Sequence, residues 1–240
     1  MTPPDADEPR TRDDRDSALR SDAERNRVRI LAAAREVFAD EGLDVPMTAI
    51  ARRAGVGIAT LYRRFPTRED LIAAAFTDRM EAYSAAITTA LADPDPWRGF
   101  STYVETVCAM QAGDRGFADV LTLTFPTARA LEATRDEAYR GFTELIARAK
   151  DTGRLRDDFS PEDLVILLMA NAGVVAATGN DAPDTWRRLV AYLLQAFGTA
   201  EPRPLPPAPS PKALYRAMVR LGTSTRPRRH GDQRHGDAGT

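Results

Sequence analysis

A chain of 240 residues, 43% of them hydrophobic, can bury one sizeable core or a small module joined to a larger one. Its single cysteine, Cys108, excludes an internal disulfide, and no segment approaches the roughly 20 unbroken apolar residues of a membrane-spanning helix. The net charge of −2 hides a division along the chain: Lys plus Arg against Asp plus Glu is 3 to 6 over residues 1–19, 11 to 9 over 20–80, 11 to 17 over 81–200 and 8 to 3 from 201 onward. Between the two folded modules, phosphate contact is therefore confined to the mildly basic first one. The polar, partly acidic start lacks the apolar core of a secretory signal, so a cytoplasmic protein without membrane contact is expected.

In chain order, residues 1–23 have almost no apolar anchors and read as a disordered tail. A first helix is expected over Glu24 to Glu41, burying Ile30, Ala34, Val37 and Phe38 and stopping at Gly42. Two short helices follow around Ala54-Gly55-Val56. Thr67 with Asp70 resembles a capping box, which opens one long helix through Leu71, Phe76 and Met80 towards Leu91. Asp95-Pro96 starts a helix running to about Ala112, and Pro126 and Ser160-Pro161 mark further starts, because proline in a first turn loses no hydrogen bond. Leu164 to Ala177 is apolar nearly all round. Trp186, Leu189, Val190, Leu193, Leu194 and Phe197 form a broad stripe on the next helix. The segment from 201 to 240 is proline-rich, then basic, and mostly disordered, with one short amphipathic helix over Lys212 to Gly222. No strand pattern occurs, so the fold class is all-α.

The stretch Thr48 to Leu71, TAIARRAGVGIATLYRRFPTREDL, carries the chemistry. Thr48 can cap a helix over Ala49 to Ala54, with Ile50 and Ala51 inward and Arg52 and Arg53 outward. Gly55 permits a positive φ in the turn, and Val56 plugs the angle between the helices. Gly57, Ile58 and Ala59 begin a second helix with Leu61 and Phe65 on its core side and Thr60, Tyr62, Arg63 and Arg64 opposite. Such a helix rises only about 10 Å, so its first half would enter a major groove while the aromatic and the arginines reach phosphates. Each residue also has a plainer reading: Tyr62 as a core aromatic, Thr48 as a cap only, Arg52 and Arg53 as a solvated face.

At Ile30-Leu31-Ala32-Ala33-Ala34, Phe38, Thr48, Ile50-Ala51, Ala54-Gly55-Val56, Thr60-Leu61-Tyr62-Arg63, Phe65 and Leu71, the sequence resembles the tetracycline-repressor-like (TetR) family of bacterial transcriptional regulators. The resemblance implies an all-α homodimer: a helix-turn-helix DNA-binding domain over 24–66, an effector-binding and dimerisation domain over 67–200, and two operator half-sites on double-stranded DNA. It places Thr48 and Tyr62 at phosphates, Thr60 at the groove, and Thr67 with Arg68 at the backbone, with Arg53, Arg63 and Arg64 beside them. Two departures stand out. Gly57 and Ile58 replace a frequent serine and polar residue, leaving apolar contact with a thymine methyl, and Arg64 replaces a frequent histidine.

The resemblance further implies an effector pocket in the second domain. Candidate lining residues are Phe100, Tyr103, Val107 and Met110, then Phe117, Leu121 and Phe125, then Tyr139 and Phe142, with Met169 and Asn171 opposite, a composition suited to a mainly apolar small molecule. Leu164, Leu167, Leu168 and Val174, with the Trp186 to Phe197 stripe, are expected to form half of a four-helix dimer interface; an intramolecular hairpin is the other reading. Neither a cofactor nor a metal is expected, because no Gly-rich phosphate loop and no Cys/His cluster occurs. An enzymatic second domain is disfavoured, since Cys108 lacks a histidine nearby and His230 and His235 lie in the tail. Regulation by a protein partner, or by no ligand, stays open.

Overall fold

Apolar residues recurring every three or four positions give eleven helices and no strand among the described residues of this computed structural model, which are 12–123, 128–198 and 203–224. They are α1 (Arg12–Glu41), α2 (Met47–Ala54), α3 (Ile58–Arg64), α4 (Arg68–Ala75), α5 (Thr77–Leu91), α6 (Pro96–Gly113), α7 (Arg115–Thr122), α8 (Arg129–Asp151), α9 (Pro161–Thr178), α10 (Thr185–Phe197) and α11 (Pro211–Ser224). Phe125, Pro126, His230 and His235 fall outside the described residues.

The stripe expected on α1 is buried: Ile30, Ala34 and Phe38 are fully covered and Val37 nearly so. The helix itself begins at Arg12, inside the segment expected to be disordered. Residues 12–23 hold no proline or glycine, and an established helix adds residues without paying for a new nucleus. Polar pairing on the surface, as between Arg25 and Asp22, supports such an extension.

The single helix expected from Thr67 to Leu91 is broken at Phe76. Arg35 on α1 explains the break, because its Nε donates to the Ala75 carbonyl at 2.7 Å and so inserts a side chain into the helical ladder. Phe76 then turns into the junction between the first three helices and the rest. Its ring lies 6.0 Å from that of Phe38 and 6.2 Å from that of Phe117 on α7. Gly116 permits this approach: a Cβ there would stand 2.8 Å from the Phe76 ring and 3.0 Å from the Phe38 Cβ. One continuous core therefore runs from α1 to α10.

In the larger half, α8 packs on α5 and α6, and α9 packs on α6, α7 and α10. Asn171 on α9 donates to the Gln111 side chain at 3.0 Å and to the Cys108 carbonyl at 3.2 Å, a buried polar tie between α9 and α6. Burial, and then the neighbouring Glu105, push the Cys108 thiol up to about 12, which leaves it unreactive at neutral pH.

By length and composition α9 could cross a membrane, at a mean hydropathy of 1.4 over 18 residues, and 28% of that span is buried. The division of its surface bears on the two readings given above for α9 and α10. Leu164, Leu167 and Leu168 on α9, with Trp186, Val190 and Leu194 on α10, are buried within their own chain, while Val174, Leu189, Leu193 and Phe197 are half-buried. The largest side chains of both stripes are consumed in packing α6, α9 and α10 together. What remains exposed is a different face, Ile166, Ala170, Gly173 and Ala177 on α9 and Tyr192 on α10.

The C-terminal segment is docked. Arg156, buried and ion-paired with Asp158, donates to the Arg203 carbonyl at 2.6 Å, and the Asp158 carboxylate accepts from the Leu205 backbone at 3.2 Å. The Arg156 guanidinium holds the Asp158 carboxyl down at about 2. α11 follows, close to the helix expected over 212–222, and buries Met218.

Candidate nucleic-acid interface

The turn between α2 and α3 is built around Gly55, whose φ of 63° and ψ of 37° end α2 in the left-handed conformation. Its N–H bonds to the Arg52 carbonyl at 3.1 Å, and Val56 N–H to that of Ala51 at 3.0 Å. Arg29 on α1 completes the turn by donating to the carbonyls of Ala54 at 2.8 Å and Gly55 at 3.1 Å. A cation at a helix C-terminus neutralises the dipole there, and a Cβ on Gly55 would lie 2.7 Å from this guanidinium.

α3 divides as its spacing demands. Leu61 is fully buried and Phe65 nearly so, while Tyr62 is 49% and Ile58 38% exposed. Gly57, Ala59, Arg63 and Arg64 are exposed and Thr60 is half-buried. Tyr62 is thus no core aromatic. Arg52, Arg63 and Arg64 have no ion-pair partner among the described residues, leaving three cations around a short helix of groove-compatible size.

Other expected contacts are engaged by the protein itself. Arg53 is ion-paired with Glu36 of α1 at 2.6 Å. Arg68 donates to the Leu43 carbonyl at 2.9 Å. Thr67 and Asp70 form the expected capping box, each backbone N–H bonding to the other's side chain at 3.1 Å. Thr48 does not cap α2. The helix starts at Met47 after Pro46, whose extended backbone holds the N-cap position, and Thr48 is an exposed residue of the first turn.

A cavity of about 210 Å³ lies in the larger half, between α5, α7, α8, α9 and α11. Among the residues expected to line an effector pocket, Leu121, Tyr139 and Phe142 do so. Phe100, Tyr103, Val107 and Phe117 are instead fully packed core, Asn171 is buried in its tie to Gln111, and Met110 and Met169 are half-buried away from the cavity.

Against this geometry, the model for bacterial regulatory proteins of the tetR family matches residues 30–75, and that for the C-terminal domain of SbtR-like transcriptional regulators matches residues 95–196. A TetR transcriptional regulator of Streptomyces coelicolor is 31% identical over 73% of this chain and 99% of its own, with a TM-score of 0.46. The chain belongs to the TetR family of DNA-binding transcriptional regulators.

A tetR-family regulatory protein of Rhodococcus RHA1 shares the fold at 21% identity, over 73% of this chain and 98% of its own, with a TM-score of 0.53. A helix-turn-helix-type transcriptional regulator of Staphylococcus aureus strain USA300 is 43% identical over 54 residues, 22% of this chain; the match spans 29% of that relative's length. TetR membership makes this a regulator and not an enzyme. In this TetR chain sequence reasoning missed Arg29 and Arg35, each of which acts on a partner distant in sequence that helical spacing does not reveal.

Tyr62 gives the interface a sharp test. Tyr62→Phe removes one exposed hydroxyl, so operator affinity is expected to fall about fivefold while the melting temperature stays unchanged. Fluorescence anisotropy and thermal denaturation read the two effects separately, and a large loss of stability would assign Tyr62 to packing.

Proposed function

We propose that this TetR-family regulator is a cytoplasmic homodimeric repressor, released from a palindromic operator by a small, mainly apolar effector. The observation that carries the DNA half of this reading is the outward Tyr62-Arg63-Arg64 face of α3, held by buried Leu61 and Phe65. Thr60, Ile58 and Ala59 would meet base edges, and Tyr62, Arg63 and Arg64 the phosphates. Thr48, Gly57 and the Thr67 end of α4 flank that contact, whereas Arg53 and Arg68 serve it by fixing α2 and the loop at Leu43. The domain limits follow: a reader up to residue 66 and an effector and dimer domain over 67–200.

The dimer reading rests on α9 and α10. Ile166, Ala170, Gly173, Ala177 and Tyr192 present apolar surface to solvent, and small residues at this spacing let two copies of α9 approach closely. The coupling reading rests on α7. Leu121 lines the cavity, the Val120 carbonyl accepts from Arg135, and the Asp119 carboxylate accepts from the Leu43 N–H at 3.3 Å, just past the end of α1. A ligand that prefers one seat of α7 therefore biases the placement of the reader.

Ala170→Glu tests the dimer. A carboxylate on that exposed face is expected to give a folded protomer by sedimentation, with operator binding lost because one half-site alone holds too weakly. A variant that still sediments as a dimer would place the interface elsewhere.

A further inference from the structure

The volume of the cavity, about 210 Å³, is below the roughly 300–1,000 Å³ of pockets for drug-sized molecules, so its occupant is small. Part of its wall comes from α11, through Leu214, Tyr215 and Met218. That helix lies beyond residues 95–196, the extent of the matched C-terminal domain, and the segment that leads to it is tied down by Arg156 and Asp158 at residues 203 and 205.

The charges of the lining are unbalanced. Glu132, Arg135, Asp136 and Glu162 all border the cavity. Arg135 is ion-paired with Glu132 at 3.2 Å and bonded to the Val120 carbonyl, while its buried Nε finds no hydrogen-bond partner among the described residues. Asp136 is exposed and has no ion pair among the described residues. Glu162 is only 9% exposed, and neither a cation nor a hydrogen-bond donor reaches its carboxylate among the described residues. The helix dipole accounts for an acidic residue in the first turn of α9, but not for one buried against a cavity. Capping does not need it either, because the adjacent Asp163 accepts from the Ser160 N–H at 2.7 Å. The neighbouring Tyr139 phenol is raised above its ordinary value by burial first and by the Glu162 carboxylate second. The Glu162 carboxylate, without a partner among the described residues, is open to a positive group in the cavity, and the Tyr139 phenol ring that it perturbs is a surface on which a cation also rests favourably.

We propose that the cavity beneath α11 takes a small apolar amine, with its ammonium group at Glu162 and its hydrocarbon part between Phe142 and the Leu214-Tyr215 side of α11. This deepens the effector reading given above and rests on it. α11 thus belongs to the site as a wall contributed by the C-terminal segment. An aliphatic or aromatic acid would meet Glu162 and Asp136 with like charge, and Arg135, the cation among the lining residues, is already ion-paired with Glu132.

Calorimetric titration of the full chain at neutral pH, without DNA, compares three ligands of one shape: 2-(1-naphthyl)ethylamine, which is a cation, 1-naphthaleneacetate and the neutral 1-naphthaleneacetamide. The amine is expected to bind at least about tenfold tighter than the other two. Glu162→Gln is expected to abolish that preference by weakening the amine about tenfold, and Tyr215→Ala to weaken all three by about fivefold. Equal or tighter binding of the acid, a preference that survives in Glu162→Gln, or no binding of any of the three at millimolar concentration would overturn the assignment. Unchanged binding by Tyr215→Ala would remove α11 from the site. Amine binding that leaves operator occupancy untouched supports this site and contradicts only the effector reading, so the two fail separately.

Discussion

Replacing Arg63 and Arg64 together by alanine is expected to lower operator affinity by about 100-fold and to flatten its salt dependence, with no change in melting temperature. Both side chains are exposed at the end of α3 and neither has an ion-pair partner among the described residues, so the fold gives up nothing when they are cut back. A duplex bound by two protomers would lose four cations from its phosphates, and with a slope of about −0.9 per phosphate the log–log salt plot would become shallower by roughly three to four. Sequence preference is expected to survive, because phosphate contacts position a reader without specifying bases. Anisotropy titrations at several salt concentrations supply both numbers. An unchanged slope would mean that these arginines lie away from the backbone.

The largest expected loss of stability comes from Phe76→Ala. Its ring is 1% exposed and stands between Phe38 on α1 and Phe117 on α7, so truncation opens a cavity where the DNA-reading helices meet the larger half. Removing a fully buried phenylalanine costs about 3–5 kcal/mol. For a chain of this size that lowers the melting temperature by on the order of 10 °C. Circular dichroism melts read the shift directly, and a loss under about 1 kcal/mol would show a junction loose enough to repack.

What the sequence disclosed was whatever depends on spacing along one helix. Leu61 and Phe65 fall on the buried side of α3 and Tyr62 on the outer side because a period of 3.6 residues separates them. Gly55 and the Thr67-Asp70 box were legible for a similar reason, since their chemistry is local to a turn or a helix end. The break at Phe76 was not, because it is imposed by Arg35, which bonds to a carbonyl forty residues further on, that of Ala75.

The larger half was harder to read from spacing alone. Phe100, Phe117 and Leu121 share one apolar pattern, yet only Leu121 borders the cavity, because lining and core differ in what lies across from them. Of the side chains of α9 and α10 read as an interface, Leu164, Leu167, Leu168, Trp186, Val190 and Leu194 are buried in their own chain and Val174, Leu189, Leu193 and Phe197 only in part, while the lighter face of Ile166, Ala170 and Gly173 is left outside. Apolarity announces burial without naming the partner. Glu162 stands in the first turn of α9, where the helix dipole suits an acid, and only the packing of α8 and α11 around the cavity sets it against that space.

The most direct test of the whole account is a stoichiometric titration of the purified protein against an inverted repeat taken from the DNA upstream of its gene, alongside a scrambled duplex of equal length. The account predicts two protomers per repeat, affinity falling linearly with salt on a log–log plot, and a preference over the scrambled duplex of about a thousandfold or more. Binding as one protomer, or equal affinity for both duplexes, would contradict it.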